Sequence, residues 1–271
     1  MHSSNSNIIH VNDVDLYYEI HGQGSPLVLI GGLGVGVWFW EYQLPAFSSY
    51  FRTIIFDNRG VGKSSKPPGP YSIEQMTVDL VALLDHLNIP KTHVLGFSLG
   101  GYIALELAIS SPERVDRLIL AGTSAGGKNA TPMAPEVLQL LLKTEGNPEE
   151  LIREKLTLAF TEEYLRKTDL SKFIRQRLED PQPRHAFLAQ AQAGANFDRS
   201  QDLYRVVAPT LILAASGDPI IPLPNAQFMA ANIPNSVLKI YQGFAHQFLI
   251  ENAEEFNRDV ITFLQNSSVR R

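Results

Sequence analysis

"VLGFSLGGYIALELA", residues 94–108, begins as a run of branched apolar residues, turns at a serine between two glycines, and ends as a helix-forming run. The spacing predicts a buried strand over 92–97 and a helix over 99–111, with Ser98 at the corner between them. Gly96 and Gly100 stand two residues either side of that serine and clear the space a strained turn needs. A side chain at such a corner is lifted off the carboxyl edge of a sheet, where open α/β sheets place their ligands. The helix start behind it offers free N–H donors. Gly101, Ala104 and Ala108 are small, so the helix can lie close to the sheet.

The same alternation runs outward from this corner. "VDLYYEIHG" (14–22) alternates like a half-buried strand, whereas "PLVLIGG", "RTIIFD", "THVLGF", "VDRLILAG" and "TLILAASG" are short continuous apolar runs, the pattern of strands buried on both faces. Helical spacing appears at 72–88, 99–111 and 255–266. This predicts an α/β fold with a mostly parallel central sheet and helices on both faces, led by an antiparallel hairpin at 8–21. The rhythm breaks between about Lys128 and Val206, where only helical, charge-rich segments occur. An all-helical insertion between two buried strands reads as a cap. The expected organisation is therefore an α/β core in two parts, 1–127 and 207–271, with a helical cap over 128–206.

Composition narrows the function. The 271 residues are 44% hydrophobic with a formal net charge of −5, enough for a large core and without a basic field for nucleic acid. There is no cysteine, which removes disulfides, thiolate nucleophiles and cysteine metal sites and fits a reducing, cytoplasmic setting. "MHSSNSNIIHVN" has no apolar h-region, and the longest apolar runs are broken by glycine, so neither a signal peptide nor a membrane span is expected. No motif for a metal, flavin or nicotinamide stands out, and no feature assigns an oligomeric state. "GGLGVG" lacks the Gly-x-Gly-x-x-Gly spacing of a dinucleotide turn, and "GVGKSS" misses the Walker A spacing. The expected partner is a small-molecule substrate alone.

Gly-x-Ser-x-Gly with a strand before it and a helix after it is the nucleophile elbow. On those residues the chain resembles the α/β-hydrolase superfamily along nearly its whole length, most faintly across the helical insertion. Members carry an acid after a later strand and a histidine after the last one. Here "LAASGDPIIP" places Asp218 beyond the strand at 210–216, and "YQGFAHQF" places His246 in a loop after "SVLKIY". The resemblance implies Ser98, Asp218 and His246 as nucleophile, orienting acid and base, because a hydroxyl needs an imidazole to take its proton and the imidazole needs a carboxylate. The other six histidines fall elsewhere, and Asp202 lies before the strand.

The resemblance also implies two backbone N–H donors for a developing oxyanion. Leu99 follows the serine. The second comes from the loop after "PLVLIG", where the family often shows His-Gly; here Gly31 takes the histidine's place, which makes Gly32 the family glycine and Leu33 the donor. "FDNRGVGKSS" resembles the family's Asp-x-Arg-Gly-x-Gly-x-Ser loop, with Asp57 and Arg59 as structural residues. Trp38 and Phe97 are the candidates for an apolar pocket wall.

A serine at the elbow argues against the dehalogenase and epoxide-hydrolase branches, which need an aspartate there. The resemblance implies a cofactor-free serine hydrolase of carboxylic esters acting through an acyl-enzyme. The same machinery serves lactonases, including enol-lactonases, carbon–carbon bond hydrolases and perhydrolases. It also occurs in slow-turnover ligand receptors built on the same fold.

Overall fold

The computed structural model describes residues 5–266; His2 and the outermost residues of the two core parts, 1–4 and 267–271, lie outside the described residues. Eight strands form one sheet: β1 (Asn5–Val11), β2 (Val14–His21), β3 (Pro26–Ile30), β4 (Arg52–Phe56), β5 (Thr92–Phe97), β6 (Val115–Ala121), β7 (Thr210–Ala215) and β8 (Ser236–Tyr241). Their order is β1-β2-β4-β3-β5-β6-β7-β8. β1 and β2 form the antiparallel hairpin, β2 joins β4 antiparallel, and every other neighbouring pair is parallel. The molecule has the α/β-hydrolase fold.

Register explains why the central strands read as unbroken apolar runs. Leu29, Leu95, Ile119 and Leu211 are side by side across β3, β5, β6 and β7 and point into one apolar layer. The alternate residues Val28, Val94 and Leu118 are also in register and point into the opposite layer. Both faces are covered, so neither phase of the strand is free to be polar. β8 closes the sheet at its edge, where Val237 is 61% exposed, and its sequence "SVLKIY" is correspondingly mixed.

The core helices are α1 (Leu44–Phe47), α2 (Ile73–His86) and α3 (Leu99–Ser110), followed later by α9 (Pro224–Asn232), α10 (Phe248–Glu251) and α11 (Ala253–Gln265). Ser72 caps α2 by accepting from the Gln75 amide at 3.1 Å. The segment between β6 and β7 forms α4 (Pro135–Leu142), α5 (Pro148–Ala159), α6 (Glu162–Lys167), α7 (Ser171–Glu179) and α8 (Arg184–Asn196). The stretch "EEYLRKTDLSKFIRQRLED" reads as one helical run in sequence. The structure divides it at Thr168–Leu170 into α6, which Thr161 caps at its start, and α7, and at the division Asp169 accepts from the Ser171 amide at 2.9 Å. No helix among the described residues is long and apolar enough to cross a membrane.

The parallel strands all point the same way, so the loops after β3, β5, β7 and β8 gather at one edge of the sheet. These loops carry, in turn, residues 31–37, Ser98, Asp218 and His246.

Candidate active site

Ser98 has φ 53° and ψ −120°, a left-handed conformation that is costly for a residue with a Cβ. Three hydrogen bonds hold it there. Its amide donates to the Ala121 carbonyl at 2.9 Å, and its own carbonyl accepts from the Gly101 amide and the Thr123 hydroxyl, each at 2.8 Å. The corner also needs its glycines: a Cβ on Gly100 would overlap the carbonyls of Ile30 and Gly31, and one on Gly96 would overlap the Gly100 carbonyl.

Nε2 of His246 lies 3.1 Å from Ser98 Oγ, and Nδ1 of the same ring lies 2.7 Å from Asp218 Oδ2. Asp218 is 6% exposed, and its other oxygen accepts from the amides of Ile220 and Ile221 at 2.8 and 2.9 Å. A carboxylate so engaged can only accept at Nδ1, so the ring proton sits on Nδ1 and Nε2 keeps its lone pair towards Ser98. The ring is held from the side by Phe97, whose centroid is 4.8 Å away. The next residue, Gln247, donates its amide to the Ala159 carbonyl at 2.8 Å and ties the histidine loop to α5.

Loop 31–37 is braced from both sides. Asp57, 1% exposed, accepts from the amides of Val37 and Lys63, each at 2.7 Å, and burial pushes its carboxyl up to about 6 despite those two donors. Arg59 is buried against Asp79, with Nε 2.6 Å from Oδ2, and also reaches Asp13. On the other side Gln190 of α8, with no exposed surface, accepts from the Gly34 amide at 3.2 Å and donates to the Arg59 carbonyl at 2.8 Å. One side chain of the helical segment therefore grips both the loop and its support.

A cavity of about 470 Å³ lies between this edge and the helices, and Leu33, Trp38, Phe97, Ser98 and His246 all line it. Leu99 and Asp218 do not. Leu99 is buried as the first residue of α3, so its amide has no intrahelical carbonyl to meet. Asp218 lies behind the imidazole. On the helical side the wall includes Lys155, Leu156, Arg177 and Phe187. Sequence reading did not single out Gln190, Lys155 or Arg177, since each sits in an ordinary-looking helical stretch with no motif around it. Among the described residues no group of three His, Asp or Glu side chains is gathered as a metal site.

An acid, a base and a cavity-lining hydroxyl in line are the parts of acyl-transfer chemistry. The relatives agree with the fold that holds them. The chain is 31% identical to "3-oxoadipate enol-lactonase 2" of Acinetobacter baylyi, with 92% of each chain covered. It is 30% identical to a protein of Azorhizobium caulinodans described as "Putative carbamate hydrolase RutD", covering 94% of this chain and 96% of that one. The solved enol-lactonase of Burkholderia xenovorans superposes with a TM-score of 0.85 at 25% identity, covering 96% of this chain and 100% of the other. The α/β-hydrolase fold family itself matches residues 25–253, from the start of β3 to the first turn of α11. The chain belongs to that family and is a hydrolase.

Proposed function

We propose that the protein hydrolyses carboxylic esters through an acyl-enzyme, with Ser98 as nucleophile, His246 as general base and acid, and Asp218 as the residue that fixes the imidazole. The observation that carries this reading is the unbroken relay of 3.1 and 2.7 Å contacts opening onto a cavity. Ser98 Oγ attacks the carbonyl carbon while its proton passes to Nε2. The oxygen that becomes negative is received by the amides of Leu33 and Leu99, each worth about 10²–10³ in rate. Nε2–H then protonates the departing alkoxide as the carbon–oxygen bond breaks. Water repeats the sequence on the acyl-enzyme, and general acid–base work of this kind contributes about 10²–10⁴.

The helices over 128–206 serve as the cap that bounds the substrate and excludes water. A chain without cysteine suits a reducing compartment, and we assign the reaction to the cytoplasm. A cyclic ester is the second reading, favoured by the two relatives described as enol-lactonases. A lactone presents the same carbonyl to the same serine, but its leaving alkoxide stays tethered to the acyl group.

The test is steady-state and burst kinetics on p-nitrophenyl esters of increasing acyl length, with an enol-lactone beside them and Ser98→Ala as control. Turnover abolished by the substitution establishes the serine esterase, and the preferred length measures the cavity. Turnover of the lactone alone selects the second reading. Ester turnover undiminished in purified Ser98→Ala overturns both.

A further inference from the structure

We propose that Lys155 and Arg177 form an anion subsite in the cavity above Ser98, and that the substrate carries a carboxylate remote from the bond that is cleaved. This rests on the reading of Ser98 as the nucleophile and narrows its substrate to half-esters or lactones of dicarboxylic acids.

Four cationic side chains line the cavity, and they divide cleanly. Lys143 pairs with Glu154 at 2.6 Å and Arg184 with Glu145 at 3.6 Å, and both of these are substantially exposed. Lys155 and Arg177 have no carboxylate partner among the described residues. They stand on α5 and α7, which pack against each other. The Lys155 ammonium sits over the Phe187 ring, 4.6 Å from its centroid, and the Arg177 guanidinium over the Trp38 ring at 4.8 Å. Arg177's one hydrogen bond is a 3.3 Å contact from Nη1 to the Phe173 carbonyl in its own helix. A lysine with a water-filled surface beside it extends its ammonium outward. These two cations instead face aromatic walls, which attract them but leave most of their N–H donors unused.

The position is electrostatically expensive without an anion. Burial and the neighbouring Arg177 hold Lys155 down to about 8, and burial alone brings Arg177 down to about 10. Asp180, the acidic residue of the wall, makes no ion pair with either of them among the described residues. A substrate carboxylate would supply the missing charge and the missing acceptors together. The remaining wall around Lys155 is apolar, with Leu151, Ile152 and Leu156, so the site suits a small organic acid and not a polyphosphate. Aromatic contacts run from this subsite back to the relay. Trp38 meets Phe39, Phe39 stacks on Phe97 at 5.1 Å, and Phe97 lies against His246. Trp38, Phe97, Ser98, Lys155 and Arg177 line the same cavity, so one molecule within it can place its carboxylate under α5 and α7 and its ester carbonyl at Ser98.

The experiment compares the mono-p-nitrophenyl ester of glutaric acid with its neutral methyl diester. The wild-type protein is expected to favour the half-ester in kcat/KM by about tenfold or more, the scale of one charge-assisted hydrogen bond. Lys155→Met and Arg177→Met should each lower that ratio about tenfold, Lys155→Glu should reverse it, and Lys155→Arg should retain it, which separates lost charge from lost folding. Calorimetric titration of glutarate into Ser98→Ala, with and without Lys155→Met, reads the subsite independently of turnover. Glutarate binding that weakens tenfold with Lys155→Met supports the subsite even if no ester is cleaved, in which case it is the esterase reading that fails. A wild-type ratio near one, or glutarate binding indifferent to Lys155→Met, overturns the subsite.

Discussion

At the scale of single residues, the geometry around Asp218 makes a demand that one atom can test. Its Oδ1 accepts from two backbone amides, so in Asp218→Asn the side-chain oxygen must stay on those donors and the new NH₂ must face His246. An NH₂ can only donate, which drives the imidazole proton from Nδ1 to Nε2 and leaves nothing at Nε2 to accept from Ser98. Asp218→Asn should lower kcat by about 10³–10⁴-fold. The melting temperature should fall by only a few degrees, because the backbone contacts survive. Ester kinetics beside a thermal melt would check this, and a loss of less than tenfold would remove Asp218 from its orienting role. The closeness of these three residues was legible through the family resemblance, which implies an acid after a later strand and a histidine after the last one; strand pattern alone would have left Asp218 an ordinary turn residue. Lys155 and Arg177 were not legible, since they lie on two helices separated by a third and only the folded helical segment brings them to one wall.

At the scale of elements, the corner between β5 and α3 does the most to place the nucleophile, and it separates two uses of glycine. Gly100 is needed for space: a Cβ there would enter the carbonyls of β3 and the residue after it. Gly243 is needed for its φ of 79° alone, with nothing within 4 Å of an added Cβ. Gly243→Ala should cost about 1 kcal/mol, the ordinary penalty for a left-handed residue. Gly100→Ala should cost about 3 kcal/mol or more, because backbone atoms of a buried strand cannot give way. Urea unfolding of the two variants measures both, and equal losses would contradict the packing described at the corner. The strand and helix flanking Ser98 were readable from a continuous apolar run and the helix-forming run that follows the glycine-flanked serine. α9 was not, since "NAQFMAAN" is short and follows a loop rich in proline, and the break between α6 and α7 carries a single local contact, Asp169 accepting from the Ser171 amide, within an otherwise continuous helical pattern.

At the scale of the whole molecule, periodicity announced parallel strands but not which strand neighbours which. β4 inserts between β2 and β3 through pairings such as Ile20 with Ile54 and Val28 with Ile54, contacts between residues distant in the chain that no local pattern encodes. The loop after β4 then links fold stability to the site, through Asp57. Its carboxyl is buried and pushed up to about 6, whereas in the unfolded chain it returns to an ordinary value near 3.9. On acidification the folded protein therefore takes up this proton first, and the stability that this residue contributes rises as pH falls from about 7 to about 4. It is lost again as pH rises through the folded value. Asp57→Asn has no such titration, while every other ionisable group is common to both proteins. The stability of the wild type minus that of the variant should thus grow by about 2 kcal/mol between pH 7 and pH 4. Urea unfolding of the two proteins at unit pH steps traces that difference. A flat difference would mean that the amides of Val37 and Lys63 just offset burial and keep the carboxyl ordinary. A difference that grew with rising pH would mean that they hold it below the usual range, and that the loop carrying Leu33 is braced by charge more strongly than burial opposes it.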